Sequence, residues 1–170
     1  ALANQYKIHT LDFSGHGGKP MNDSFSIEKF ADEVLDYLNQ NQIGRIHIFG
    51  YSMGGYVALY LAKKHPERVA SIFTLATKFK WTPEIAQREI KMLNADKIAE
   101  KIPAFASELQ TRHTATDWRI VLSKTAQMMI GLGNKNPLAI DDFKAILNPV
   151  RIAIGDKDMM VTLEETIAVY

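Results

Sequence analysis

The sequence has 170 residues, the usual size of one domain. Hydrophobic residues make up 46% of it, enough for a substantial core, and 20 lysines and arginines nearly balance 19 acidic residues. This balance argues against nucleic-acid binding. The sequence contains no run of about 18 apolar residues, so no membrane span is predicted. There are no cysteines, which excludes disulfides, thiolate metal sites and a cysteine nucleophile and fits a cytoplasmic protein.

The first half of the chain alternates predicted strands with predicted helices. Short apolar runs predict the strands, and apolar residues at steps of three and four predict the helices. In chain order we predict a buried strand at 6–13, a glycine-rich loop at 14–20, a helix from Ser26 as N-cap through Leu38, a strand at 45–49, a helix at 56–64 and a strand at 69–75. Because the strands are apolar throughout, they favour a parallel sheet covered by helices on both faces.

The second half begins with a long stretch in which no strand interrupts the helices. Here we predict a helix that begins at Thr82-Pro83, a helix at 103–113, a helix from about Asp117 to Leu132 with Gly133 as its stop, a strand at 150–154, and a last helix opened by a capping box of Thr162 and Glu165. The predicted fold class is therefore α/β, with a mostly parallel, doubly wound sheet. Residues 1–77 and 138–170 would form the core, and 78–137 an inserted all-helical segment.

The segment Gly50-Tyr51-Ser52-Met53-Gly54 lies between a predicted strand and a predicted helix. A Gly-x-Ser-x-Gly match alone is a weak signal, but a strand–turn–helix elbow holds its central residue in a strained conformation above the strand ends. The start of the helix also directs backbone N–H groups at developing negative charge. We therefore predict that Ser52 is a nucleophile. The alternative is an ordinary serine in a glycine-rich turn.

Three segments resemble the α/β-hydrolase superfamily, in the family's order. Residues 12–17 resemble the loop that follows the strand preceding the elbow strand, 50–55 resemble the nucleophile elbow, and 148–158 resemble the strand and turn that deliver the catalytic acid. The resemblance implies the α/β-hydrolase fold, with residues 78–137 as a helical lid and no cofactor. It also implies an acyl-enzyme on Ser52, an oxyanion bond from the backbone N–H of Met53, and Asp158 as the acid, with Asp156 as the alternative.

The resemblance also implies a histidine base after the acid, yet no histidine follows Asp158. The five histidines all precede it: His9, His16, His47, His65 and His113. The second oxyanion donor, expected from an earlier loop, is missing as well. We therefore expect this sequence to be an internal piece of a longer hydrolase, with the base and the second donor outside it. His113 would belong to the lid, facing either the packing of the lid or the substrate pocket.

Aromatic and methionine side chains are frequent between residues 78 and 137, and they suit an adaptable apolar pocket roof. The candidate substrate-binding residues are Tyr51, Phe79, Trp81, His113, Met128 and Leu132. Histidines and carboxylates do not occur together at the spacing of metal ligands, so no metal site is predicted. Serine at the elbow argues against haloalkane dehalogenases and epoxide hydrolases, which have aspartate there.

The predicted function is a carboxylesterase-like serine hydrolase acting on a small apolar carboxylic ester or related acyl substrate. Within the fold, the alternatives are a thioesterase, a carbon–carbon bond hydrolase, a lactonase and a perhydrolase. The alternative from another class is a non-catalytic ligand-binding protein of the same fold. The sequence leaves the oligomeric state open, with a dimer among the alternatives.

Overall fold

A computed structural model describes residues 4–21 and 23–170. The strands are β1 (Ile46–Tyr51), β2 (Val69–Leu75) and β3 (Val150–Ala153). The helices are α1 (Ile27–Gln40), α2 (Met53–Lys64), α3 (Pro83–Glu89), α4 (Ala95–Lys101), α5 (Pro103–Arg112), α6 (Trp118–Asn134), α7 (Ile140–Ala145) and α8 (Leu163–Ile167). Short 3₁₀ turns lie at Pro66–Arg68 and Ile90–Leu93. Among the helices described, none is both long and apolar enough to cross a bilayer.

The three strands form a parallel sheet in the order β1–β2–β3. Phe49 lies opposite Phe73 in one ladder, and Thr74 lies opposite Ile152 in the other. Because the strands are parallel, all three end at the same edge of the sheet. The residues that follow β1 and β3 are separated there by one strand, which places the two strands about 10 Å apart.

Helices cover one face of the sheet in the described part of the chain. Helix α2 packs on β1 and β2, and α1 packs on α2. The largest fully buried side chains of this layer include Phe30, Ile27, Leu61 and Val57. On the opposite face, Phe49 and Tyr51 are each 65% exposed. The parallel sheet is as predicted, whereas the expected second layer of helices is not formed by the described residues.

The predicted buried strand at 6–13 is wrong, since this segment lies outside helices and strands and is largely exposed. The ring of Tyr6 contacts that of His47 edge-on at 6.2 Å between centroids, and His9 contacts Tyr37 at 5.8 Å. A strand needs a hydrogen-bonded neighbour, and among the described residues none pairs with this segment in a ladder. An apolar run alone does not supply that neighbour.

Three predicted helix starts are confirmed by their side-chain caps, whereas the helix predicted at 56–64 begins earlier, at Met53. Ser26, Thr82 and Asp117 each accept a hydrogen bond from a backbone N–H two or three residues later, at 3.2, 3.2 and 2.8 Å. These bonds satisfy N–H groups that have no partner within their own helix. Local side-chain chemistry therefore sets where α1, α3 and α6 begin.

The predicted stop of α6 at Gly133 is wrong, because the helix continues through it to Asn134. Gly133 is buried where α6 packs against the start of α3. A Cβ added there would lie 2.8 Å from the Cβ of Ala86 and 2.8 Å from the carbonyl oxygen of Thr82. Gly133 therefore permits a close helix contact and does not end the helix.

Replacing Gly133 by alanine is expected to lower the free energy of unfolding by about 1–3 kcal/mol, the usual range for an overpacked contact. Gly131→Ala is the matched control, since a Cβ at Gly131 would meet nothing within 4 Å. That change should raise stability by about 0.5–1 kcal/mol, because alanine is the better helix former. Urea denaturation of both variants measures the difference. Equal stabilities would contradict the close contact.

Candidate active site

Ser52 occupies the sharp turn between β1 and α2, with φ 51° and ψ −118°. A non-glycine residue in such a conformation costs of order 1–3 kcal/mol and persists only where its surroundings hold it. The N–H of Ser52 donates to the carbonyl of Leu75 at 2.8 Å. Its carbonyl accepts from the N–H of Gly55 at 3.1 Å and from the hydroxyl of Thr77 at 3.0 Å. The residues that end β2 and follow it therefore hold the strained turn.

Two glycines around Ser52 are required for steric reasons. A Cβ on Gly50 would fall against the backbone of Gly55, 2.5 Å from its Cα. A Cβ on Gly55 would fall against the hydroxyl of Thr77 and lie 3.0 Å from the Cβ of Thr74. By contrast, a Cβ on Gly54 would meet nothing within 4 Å. The pair that permits the tight turn is therefore Gly50 and Gly55, and not the second glycine of the motif.

The strain at Ser52 predicts that Ser52→Gly is more stable than Ser52→Ala by about 1 kcal/mol, since glycine adopts positive φ without steric cost. Both changes remove the hydroxyl, so the comparison isolates the backbone. Chemical denaturation of the two variants measures the difference. If the alanine variant were the more stable one, the turn would not be strained at this residue.

Helix α2 begins at Met53, directly after Ser52. The first N–H groups of a helix have no acceptor within the helix and lie at the positive end of its dipole. The backbone N–H of Met53 belongs to this group. A developing negative charge beside Ser52 would therefore be close to unsatisfied donors of a 12-residue helix.

Asp158 lies in the turn that follows β3, where its own N–H donates to the carbonyl of Gly155 at 3.1 Å. Its Oδ1 accepts from the backbone N–H groups of Val161 at 2.8 Å and Met160 at 2.9 Å. These bonds, with a smaller contribution from the charge of Lys78, lower the pKa of the Asp158 carboxyl. The carboxylate is therefore ionised at neutral pH and fixed by the backbone, whereas Asp156 is exposed.

Each of the five histidines has a polar partner other than Ser52 or Asp158. Among the described residues, no hydrogen bond joins a histidine to either of these two side chains. The pairs are His9 with Tyr37 at 2.9 Å, His16 with the Ser14 carbonyl at 3.2 Å, His47 with Ser71 at 2.7 Å, His65 with Glu67 at 3.8 Å, and His113 with the Gly17 N–H at 3.2 Å. The same part of the chain brings no three His, Asp or Glu side chains close enough to hold a metal ion.

His113 connects the helical segment to the glycine-rich loop. It lies at the end of α5 and is 8% exposed. Its Nδ1 accepts from the N–H of Gly17, and the N–H of Thr114 donates to the Gly17 carbonyl at 3.1 Å. Burial, then the neighbouring His16 and Arg112, lower the pKa of His113, while Asp12 opposes them. The neutral imidazole that can accept this hydrogen bond is therefore the favoured form.

The contact between His113 and Gly17 should weaken at acid pH. The folded-state pKa of His113 is lowered, so below the ordinary histidine value of about 6.5 the unfolded chain binds more protons than the folded chain. The stabilisation is therefore complete well above that pH and is lost as the pH falls. The lowered pKa of His16 acts in the same direction.

Hydrogen exchange of the Gly17 and Thr114 amides, corrected for intrinsic rates, measures this effect. Protection should decrease from pH 7.5 to 5.5 in the wild type. It should change little with pH in His113→Gln, whose side chain offers an acceptor that does not titrate. A pH-independent wild type would contradict the proposed role of the neutral ring.

The six predicted substrate-binding residues do not share one environment. Phe79, Met128 and Leu132 are buried in the main apolar cluster, and Trp81 packs against it half-buried. Phe79 and Trp81 also line a cavity of about 360 Å³ whose lining includes neither Ser52 nor Asp158. Tyr51 is exposed on the uncovered sheet face, and His113 is committed to Gly17. Four of the six thus belong to the main apolar cluster of the chain.

Sequence reasoning missed two polar residues next to the site. Thr77 is 1% exposed and its hydroxyl donates to the Ser52 carbonyl. Lys78 is 7% exposed, and its ammonium donates to the Met160 carbonyl at 2.8 Å, two residues beyond Asp158. A polar pair directly after an apolar strand was the available signal, since ligands of parallel α/β sheets bind at the carboxyl ends of the strands.

The fold and the turn together define a parallel α/β protein with a strained serine between a strand and a helix. The model of the alpha/beta hydrolase fold family matches residues 1–96, more than half of the chain. The chain therefore belongs to the alpha/beta hydrolase fold family.

Curated relatives of the chain are ester-bond hydrolases by name. It is 38% identical over 79 residues to a pimeloyl-[acyl-carrier protein] methyl ester esterase of Aeromonas hydrophila, covering 45% of this chain and 30% of that protein. It is 30% identical over 103 residues to 3-oxoadipate enol-lactonase 1 of Acinetobacter baylyi, covering 60% and 39%. The matches thus span well under half the length of these relatives.

The crystal structure of the enol-lactonase from Burkholderia xenovorans LB400 has a similar fold. The two superpose with a TM-score of 0.70 at 19% identity, over 93% of this chain and 65% of the other. At this identity the likeness concerns the fold alone. The agreement supports the predicted fold class over nearly the whole chain.

Proposed function

We propose that this chain carries the nucleophile and the acid of a serine hydrolase that acts on small, apolar carboxylic esters. The observation that carries the proposal is the backbone of Ser52. A serine held at φ 51° between a parallel strand and the start of a helix exposes its hydroxyl next to unsatisfied N–H donors. Gln42 and Ala76 also have positive φ, so the angle alone does not carry the proposal. At Ser52 it is combined with ψ −118° and with the start of a helix, the arrangement on which nucleophile elbows depend.

In the proposed reaction the hydroxyl oxygen of Ser52 attacks the ester carbonyl, and a base takes its proton. The Met53 N–H stabilises the oxyanion of the tetrahedral intermediate. The bond to the alcohol then breaks, and the alcohol leaves with the proton. Water attacks the acyl-enzyme in the same way and releases the acid. Asp158, ionised and fixed by two backbone N–H groups, would orient the base and stabilise its charged form.

We propose that a histidine outside these 170 residues supplies the base. This is supported by the partners of the five histidines, each of which is engaged elsewhere. A ring between Ser52 and Asp158 would have to bridge the ends of β1 and β3, about 10 Å apart. A corollary is that the 170-residue segment alone has little or no triad activity.

The substrate class is proposed from the apolar side chains of residues 78–137 and from the relatives. Residues 78–137 would act as a lid, with Phe79, Trp81, Met128 and Leu132 shaping an apolar roof. Two relatives are named for a methyl ester and an enol-lactone, and both of these compounds contain an ester bond. A panel of activated esters and thioesters of increasing chain length, assayed on the complete protein, separates esterase from thioesterase.

We further propose a cytoplasmic location, since the chain has no cysteines.

Labelling of the complete protein with a fluorophosphonate tests the nucleophile and the acid. We expect labelling in the wild type and none in Ser52→Ala. Asp158→Asn should slow ester turnover by roughly 10²–10⁴-fold, because the base loses its orienting carboxylate. Asp156→Asn is the matched control and should stay within about twofold, since it changes an exposed carboxyl two residues away.

The outcomes separate the rival functions. Label that persists in Ser52→Ala would overturn the role of this serine. Specific binding of apolar ligands by a protein that neither labels nor turns over ester would favour the non-catalytic ligand-binding alternative. An equal loss in Asp156→Asn and Asp158→Asn would move the acid assignment from one residue to the turn as a whole.

A further inference from the structure

The central strand β2 separates the two strands that lead to Ser52 and Asp158. The hydrogen bonding between β2 and each of its two neighbours continues just past the strand ends. The Ser52 N–H donates to the Leu75 carbonyl at 2.8 Å, and the Ala76 N–H donates to the Ala153 carbonyl at 2.9 Å. Ala76 then turns the chain with φ 53°, a left-handed conformation that is costly for alanine. The chain thus bends between the nucleophile turn and the acid turn.

The next residue, Thr77, contacts the nucleophile turn. It is 1% exposed, and its Oγ1 donates to the Ser52 carbonyl at 3.0 Å. That carbonyl also accepts from the N–H groups of Gly55 and Tyr56 at 3.1 and 3.4 Å. The Thr77 hydroxyl therefore helps to hold the peptide that follows the serine, at the point where α2 begins.

Lys78, one residue further, contacts the acid turn on the other side. Its ammonium donates to the Met160 carbonyl at 2.8 Å. The N–H of Met160 in turn donates to the Asp158 carboxylate at 2.9 Å. Residue 160 is thus held on one side by Lys78 and on the other by the predicted catalytic acid. Moving the ammonium would move the turn that carries Asp158.

Two buried carboxylates lie beside Lys78, and one of them bonds it directly. Glu165 lies 3.3 Å from the ammonium and also accepts from the Phe79 N–H at 3.1 Å. Glu89 lies 3.9 Å away and is itself paired with Arg88 at 2.7 Å. Lys78, Glu165 and Glu89 are each at most 7% exposed. Burying such groups carries a desolvation cost that an apolar replacement would avoid. A role in fixing the geometry accounts for a cluster that stability alone does not favour.

We propose that Thr77 and Lys78 form a clamp that sets the position of the Ser52 turn relative to the Asp158 turn. The inference rests on the proposed function, in which these two turns must present nucleophile and acid to one base. Both residues are positioning residues, since each is buried and acts through a backbone carbonyl. Loss of the clamp should therefore lower kcat and leave KM nearly unchanged.

The first test uses valine, which has the shape of threonine without its hydroxyl. In the complete protein, Thr77→Val should lower kcat for an activated ester about 10–100-fold, in line with the cost of a small misplacement of reacting groups. KM should stay within about twofold. Thr77→Ser keeps the hydroxyl and should recover most of kcat. Thr74→Val is the matched control, because Thr74 is fully buried on β2 and its hydroxyl has no partner among the described residues.

The second test addresses the charged half of the clamp. Lys78→Met alone leaves the Glu165 carboxylate buried without its cation and can fail to fold, whereas Glu89 keeps the Arg88 guanidinium at 2.7 Å. The variant to use is therefore Lys78→Met with Glu165→Gln. Its kcat should fall about 10–100-fold at unchanged KM. Lys78→Arg, which keeps the charge and several donors, should lose less than the neutral variant. Equal kcat in the neutral variant and the wild type would overturn the assignment of Lys78.

A measurement that does not depend on turnover separates the clamp from the proposed function. Hydrogen exchange of the Gly55 and Tyr56 amides should accelerate in Thr77→Val and not in Thr74→Val. Absence of Ser52-dependent turnover in the wild type, with this change in exchange present, would overturn the proposed function and keep the mechanical clamp. Unchanged exchange and kcat in Thr77→Val would overturn the clamp while the hydrolase stands. Equal losses in the two valine variants would show general damage and also overturn it.

Discussion

The positive φ of Ser52 is the constraint on which the rest of the site depends. A serine does not adopt this conformation unaided, so neighbouring residues must hold it. The carbonyl of Leu75, at the end of β2, and the hydroxyl of Thr77, just after it, hold the turn, and the glycines at 50 and 55 leave room for the chain to cross. Because of this turn, helix α2 begins at the residue directly after the serine. The strained backbone of Ser52, the end of β2 and the start of α2 are thus linked through these contacts.

The parallel sheet explains why the catalytic residues of this proposal lie far apart in sequence. Parallel strands end at one edge, so the segments after β1 and β3 meet there although about a hundred residues separate Ser52 from Asp158. The connection between β2 and β3 is free to be long, and here it consists of helices. One of them, α5, is followed by His113, which accepts a hydrogen bond from the N–H of Gly17. This contact therefore joins the helical segment to the loop at 14–20.

Local sequence signals predicted the elements whose cause is local. The side chains of Ser26, Thr82 and Asp117 cap helices through bonds within three residues, and these starts were predicted correctly. Gly133 shows the opposite case. Its role depends on Ala86, more than forty residues away, and a glycine near the end of an apolar repeat resembles a helix stop until that contact is known. Tertiary packing overrides the local preference there.

The same distinction between local signals and distant contacts explains which strands were predicted correctly. The strand β2 was predicted with its observed limits, because an apolar run between His65-Pro66 and a polar segment has clear local boundaries. The run at 6–13 has a similar composition, yet it forms no ladder in the described part of the chain. Strand formation requires a partner, and composition records only the tendency to be buried. Apolar runs likewise predicted two covered faces, whereas Phe49 and Tyr51 lie exposed on one of them.

Glu165 shows how one residue can satisfy a local motif and a distant contact at once. The sequence predicted a capping box, and the N–H of Glu165 does donate to the Thr162 hydroxyl at 3.2 Å. Its carboxylate, however, is directed to the Phe79 N–H and to Lys78, at the end of a strand more than eighty residues away. A buried ion pair is expensive to form and expensive to break, because either partner left alone is an uncompensated charge. Such a pair therefore resists displacement more than it adds stability. Resistance to displacement is the property that the turn after β3 needs if Asp158 is to keep a fixed position relative to Ser52.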